Sequence, residues 1–208
     1  MVGNPSRDFK AVFAQLDHKP LVINIYKDRA DYRKALPRAP QWSSGMYTGG
    51  ASHFFGNKVG RTMYHEFCHH VLGHFSRGGR PPAWLSEGIA VYTEHVRYDK
   101  QGRLRIGGQR RRGGKEPLES VLALKTFGQW AASPKYSAAG KLVWFCMEAN
   151  DRKYRDDFID FLRDSYRGRT GGKQLWDYLG ISQKGFADAY RQFLNGNRAK
   201  DPKQRGRR

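Results

Sequence analysis

The chain reads as an α+β protein, with a small mixed sheet near the N-terminus, a long histidine-bearing helix and a mainly helical C-terminal half. Three observations predict this. Short apolar runs bounded by Pro, Gly and charge crowd residues 20–56, the pattern of strands and turns. From Lys58 onward, apolar residues recur at three- and four-residue spacing, the pattern of amphipathic helices. No internal repeat marks a second domain, and 208 residues fit one ordinary domain with a hydrophobic core. The expected division is an N-terminal helix over 1–19, one folded domain over 20–195 and a basic, disordered tail over 196–208.

Residues 5–18 suit an amphipathic helix. PLVINIY (20–26) is an apolar run bounded by Pro20 and by charge, and it predicts a buried strand. DRADYRKAL (28–36) predicts a helix stopped by Pro37 and Pro40. SGMYTGGASHFFG (44–56) is Gly-rich with aromatics and predicts an edge strand or hairpin. A helix is expected from about Lys58 to Phe75, its stripe formed by Tyr64, Phe67, Cys68, Val71, Leu72 and Phe75. SRGGRPP breaks the chain, and Pro82 can open the next helix, AWLSEGIAVYTEHV (83–96), with Leu85, Ile89, Tyr92 and Val96 as its stripe. RYDKQGRLRI (97–106) predicts a hairpin turning at Lys100–Gly102. The remaining expected elements are helices over roughly 117–127, 137–149, 153–167, 173–179 and 183–195.

The formal net charge is +19, from 38 Lys and Arg against 19 Asp and Glu. It concentrates in 97–115 and in 198–208. These stretches could attract a nonspecific anionic partner, either nucleic acid or an acidic surface. The plainer reading is a solvated loop and a solubilising tail, since neither interleaves aromatics with its basic residues as a single-strand stacking platform does. No run approaches the roughly 18 apolar residues of a membrane helix. The N-terminus lacks the continuous apolar core of a signal peptide, so a chain complete as given is expected in the cytoplasm. Two cysteines, Cys68 and Cys146, make no disulfide framework and suit small buried hydrophobes.

The segment TMYHEFCHHVLGHF (62–75) holds four of the seven histidines. His65-Glu66-Phe67-Cys68-His69 matches H-E-x-x-H. On a helix, positions i and i+4 lie about 40° apart, so both imidazoles leave one face and can take adjacent corners of a zinc tetrahedron. Glu66 can reach a water at an open corner and act there as general base. His70 lies about 100° round the helix from His69, and His74 about 180° from His65, which argues against either as a ligand. The metzincin spacing H-E-x-x-H-x-x-G-x-x-H needs Gly at 72 and His at 75, where this chain has Leu72 and Phe75. His70 and His74 are left with supporting or surface roles, and His70 is the candidate to steady a ligand. A third ligand should come from elsewhere. Glu87, eighteen residues after His69, lies off the stripe of its helix, where it can face another helix or solvent. Glu94 is about 20° from Glu87 on the wheel and could orient a ligand.

H-E-x-x-H followed by W-L-x-E-G-x-A-x-Y-x-E closely resembles the gluzincin zinc metallopeptidases, the peptidase MA-like group that includes aminopeptidase N-like and thermolysin-like enzymes. The resemblance implies a zincin-like domain with one catalytic Zn2+ held by His65, His69 and Glu87, and with Glu66 as the base in peptide hydrolysis. Trp84, Leu85, Gly88, Ala90, Tyr92 and Glu94 fill the flanking positions. The 17 residues between His69 and Glu87 are one or two fewer than in the best-known members, so the connecting loop differs. YSAAGKLVWF (136–145) resembles the helix whose leading Tyr donates to the oxyanion in aminopeptidase-like relatives, which makes Tyr136 a candidate for that role. Tyr136 also forms a stripe with Gly140, Val143 and Met147, so a core tyrosine suits it equally. LWDYLGISQKGFADAYRQFL (175–194) resembles the helical end of small peptidase MA-like domains. The likeness spans about 20–195 and is specific at 62–94.

One departure bears on the substrate. Aminopeptidases of the group carry G-x-M-E-N, whose Glu holds the free amino terminus, whereas GMYTGG (45–50) has no acidic residue. An endopeptidase acting on a peptide or protein is therefore expected, with 45–55 able to add the substrate as an extra strand. Two other readings stay open: a zinc-binding domain without turnover, and a nucleic-acid-associated basic protein. Zinc over another divalent metal rests on two imidazoles, one carboxylate and an open position.

Overall fold

The computed structural model describes residues 22–41, 43–48, 50–56, 60–76, 78–98, 100–101, 104–106, 116–126 and 133–199. The helix expected over 5–18, most of the basic stretch 97–115 and the tail beyond Ala199 lie outside the described residues. The chain divides into two compact units, with the boundary between Phe75 and Ser76.

In the first unit, β1 (Val22–Tyr26) runs parallel to β3 (Ala51–Phe55), and β2 (Gly45–Thr48) runs antiparallel to β3. Among the described residues these form a mixed three-stranded sheet in the order β1-β3-β2. The segment read as an edge strand or hairpin is a hairpin. Gly50 in its turn has φ +77°, a left-handed conformation that glycine adopts without a Cβ clash. Between β1 and β2 the chain forms α1 (Arg29–Ala35), capped by Asp28, whose side chain accepts the Ala30 and Asp31 N–H groups. Its Tyr32 is fully buried, with its ring 5.1 Å from that of Phe55 and 5.8 Å from that of Tyr26.

The expectation of a buried first strand is corrected here. Among the described strands β1 lies at the sheet edge, and Val22, Ile23 and Ile25 are 47, 43 and 65% exposed. An apolar run is enough to favour a strand, but it carries no information about which strands flank it. The central strand is β3, where Ala51, Ser52 and Phe54 are buried.

The helix α2 (Gly60–Phe75) packs on β2 and β3. Its apolar stripe is not its most buried face. Within the stripe Tyr64 is exposed, Phe67, Val71 and Leu72 are half-buried and Cys68 is buried, whereas Glu66 and His70, off the stripe, are both buried. Polar groups point at the sheet because strand amides and hydroxyls satisfy them there: Tyr47 N–H for Glu66, and Ser52 Oγ for His70.

The second unit is built around α3 (Ala83–Thr93) and α5 (Ser133–Glu148). They approach most closely at Gly88, where a Cβ would stand 2.8 Å from both the Ala139 carbonyl oxygen and Val143 Cγ2. Pro82 opens α3, as expected, but the helix ends at Thr93 and not at Val96. Val96 begins β4 (Val96–Tyr98), which pairs antiparallel with β5 (Leu104–Ile106) in the expected hairpin. The helix expected over 117–127 is the shorter α4 (Leu118–Leu122).

After α5, Asn150, Asp151 and Arg152 adopt φ of 49°, 53° and 70°, and the chain turns into α6 (Arg155–Arg167). Next come α7 (Leu175–Tyr178), opened by a capping box between Gln174 and Asp177, and α8 (Gln183–Ala199). Phe145, Phe158, Phe186, Leu142 and Val143 are fully buried and form the centre of this unit. The loop before α3 is seated at Gly79, where any Cβ would collide with the Ser165 and Tyr166 backbone. Cys68 and Cys146 are buried and unbridged, as the sequence suggests. Among the described residues, no helix is long and apolar enough to cross a membrane.

Candidate metal centre

On α2, one helical turn separates His65 and His69, and their Nε2 atoms come to 3.2 Å with the rings at 76°. Adjacent corners of a zinc tetrahedron with Zn–N near 2.0–2.1 Å are about 3.3–3.4 Å apart, so the two lone pairs are close to a chelating separation. Glu87, on α3, is only 4% exposed. Its helix neighbours Leu85 and Ile89 are buried too, so the solvated-glutamate reading does not hold. An ionised carboxylate taken out of water is costly unless a cation or hydrogen bonds compensate it. His65, His69 and Glu87 each offer one ligand atom, and these atoms lie within 4.8 Å of one another, a group that could hold a metal ion. The donor set fits zinc: two imidazole nitrogens and one carboxylate oxygen leave a fourth position open.

Glu66 is buried at 8% exposure, and its Oε2 accepts the Tyr47 backbone N–H at 2.8 Å. His70 is fully buried, with Nδ1 3.3 Å from Ser52 Oγ and Nε2 without a hydrogen-bond partner. Burial first, and then the neighbouring His74, pull its pKa below the usual imidazole value, so it is neutral at pH 7. The His70 ring stacks with Tyr47 at 4.8 Å and with His74 at 5.1 Å. His70 thus supports α2 on its sheet side. His74 lies outside this candidate group, in keeping with its place on the helical wheel.

Glu94 follows the last turn of α3, half-buried and also outside the group. Tyr136 sits in the first turn of α5, half-buried, while Gly140, Val143 and Met147 of its stripe are buried. The flanking motif positions do packing work. Trp84, Leu85 and Ala90 are buried, Gly88 permits the close approach of α5, and Tyr92 donates to Glu148 Oε1 at 2.6 Å. Burial and that carboxylate push the Tyr92 phenol far above its ordinary value, so it remains a donor. Arg155 and Arg152 reach the same carboxylate at 2.6 and 3.2 Å.

Two residues that matter locally were not singled out by the sequence, Tyr47 and Ser52. Both lie in the Gly-rich segment, and only the β2–β3 register, which sets them opposite each other, shows that they face α2. No family model matches the chain, and no curated protein matches it.

Proposed function

We propose that the chain is a gluzincin-type zinc metallopeptidase with a zincin-like domain, cleaving within peptide or protein substrates. The observation that carries this reading is the grouping of one ligand atom each from His65, His69 and Glu87, next to a buried Glu66 in H-E-x-x-H. His65, His69 and Glu87 would hold the metal. A metal held there would supply Lewis-acid chemistry and make water at the open position more acidic. Glu66 takes a proton on its carboxylate from the attacking water and returns it to the leaving amine. Tyr136 is assigned as phenol donor to the developing oxyanion. The absence of an acidic residue in GMYTGG favours endopeptidase over aminopeptidase action.

The test is Glu66→Gln, measured beside wild type for zinc content and for hydrolysis of a pool of quenched-fluorescence peptides. The expected result is about one zinc per chain in both proteins and a loss of turnover of roughly 10³-fold or more in the variant. Zinc in both with turnover in neither would leave a zinc-binding domain without catalysis. Wild type without zinc would remove the reading altogether.

A further inference from the structure

We infer that Tyr47 is a positioning residue for Glu66, acting through its backbone N–H, with its ring as the key that holds that amide in place; this rests on the peptidase reading above. The Tyr47 N–H donates to Glu66 Oε2 at 2.8 Å. In the antiparallel β2–β3 pair Tyr47 stands opposite Ser52. An amide spent on a helix carboxylate is not part of the ladder, so this N–H leaves β2 on its outer edge. Backbone alignment there is not enforced by β3 alone.

The side chain supplies the missing constraint. The Tyr47 ring lies 4.8 Å from the His70 ring, tilted by 28°. It also fills the space over Gly73, where a Cβ would stand 3.0 Å from the hydroxyl oxygen and 3.2 Å from Cε1. His70 is fully buried and is tied to β3 through Ser52 Oγ at 3.3 Å. Glu66, His70 and Gly73 are four and three residues apart, which places them along one strip of α2. The ring is therefore seated in a notch on the same strip that carries the carboxylate its amide holds. The base is oriented before substrate arrives, and an error of about 1 Å in such a group costs on the order of 10²-fold in rate.

The test uses the full chain loaded with zinc and the variants Tyr47→Phe, Tyr47→Ala and Gly73→Ala. Tyr47→Phe keeps the ring, and kcat on the peptide pool is expected within about twofold of wild type. Tyr47→Ala empties the notch and Gly73→Ala fills it from the helix side. Each is expected to lower kcat by roughly 10- to 100-fold, with KM within about threefold and one zinc retained. Hydrogen exchange at the residue-47 amide is expected to be slow in wild type and Tyr47→Phe, and at least about tenfold faster in Tyr47→Ala. If Gly73→Ala does not fold, Tyr47→Ala decides. An active wild type beside a folded, zinc-loaded Tyr47→Ala of unchanged kcat overturns the inference alone. A zinc-loaded wild type that cleaves no peptide in the pool overturns the peptidase reading, and the inference with it.

Discussion

Helix α3 buries ten of its eleven residues, whereas α2, with sixteen, buries Glu66, Cys68 and His70 among its described side chains. Both helices carry conspicuous motif residues, yet they use them differently. In α3 nearly every position is fixed by packing, and Glu87 is the one carboxylate in a helix otherwise made of apolar, aromatic and small residues. In α2 packing and chemistry fall on the same residues: Glu66 and His70 dock the helix on the sheet and also flank the candidate ligands. Substitutions in α3 other than at Glu87 should therefore read out as stability. Substitutions in α2 should disturb stability and site geometry together.

The largest expected effect comes from the exception in α3. Glu87→Ala should drop zinc from about one per chain toward zero after dialysis, as read by elemental analysis. Metal binding in structural sites is worth roughly 10–16 kcal/mol, and loss of one of three candidate ligands should cost more than the 10- to 100-fold typical of lost outer contacts. A variant that keeps its zinc would separate Glu87 from the metal, and the contrast between the helices would then be one of packing only. Next comes Leu85→Ala two positions earlier, where the side chain is fully buried. Removing it should cost about 2–5 kcal/mol in denaturant unfolding. Zinc content should remain unchanged, and that split between neighbouring residues is the sharpest form of the comparison.

Much of this contrast was legible in the sequence, and the part that was not has a physical cause. The i, i+4 histidines could be placed on one face because helix geometry is local. The hairpin at 44–56 and the opening of α3 at Pro82 follow from equally local Gly and Pro preferences. Burial is not local. The run Val22–Tyr26 looks like a core strand, yet it lies at an edge because β3 pairs with both of the other strands. The stripe of α2 looks like its buried face, yet Tyr64 is 38% exposed while Glu66 is buried. A charged residue reads as solvent-facing until the amide that receives it is known, and that amide is 19 residues earlier, at Tyr47. The end of α3 was overestimated because Val96 continues the apolar spacing, and spacing does not register that the chain has become a strand.

Gly88 tests the packing side of the comparison at a smaller scale. A methyl group added there meets the Ala139 carbonyl oxygen and Val143 Cγ2, both at 2.8 Å, so α3 and α5 must separate or a side chain must leave its rotamer. Overpacking of this kind costs about 1–3 kcal/mol, partly offset by the roughly 0.5–1 kcal/mol that Ala gains over Gly within a helix. The net expectation is destabilisation, visible as a lower denaturant midpoint at unchanged slope. A neutral or stabilising Gly88→Ala would mean that the helices have room to move.

The smallest effect separates packing from hydrogen bonding within α3. Tyr92→Phe keeps the buried ring, which lies 6.0 Å from that of Trp144, and removes the hydroxyl that donates to Glu148. Two opposing considerations set the magnitude. A bond to a charged acceptor is worth more than a neutral one, about 1.5–3 kcal/mol. Glu148, however, keeps Arg155 at 2.6 Å and Arg152 at 3.2 Å, and its side chain is 16% exposed, so its charge is not stranded when the phenol goes. The second consideration should win, leaving a cost of about 1 kcal/mol in denaturant unfolding. Arg155→Ala in the Tyr92→Phe background decides between the two. With Arg155 removed, Glu148 depends more on the phenol, so Tyr92→Phe should cost more there than in wild type. Equal costs in both backgrounds would show that the arginine does not stand in for the hydroxyl, and that the phenol's contribution is independent of Arg155.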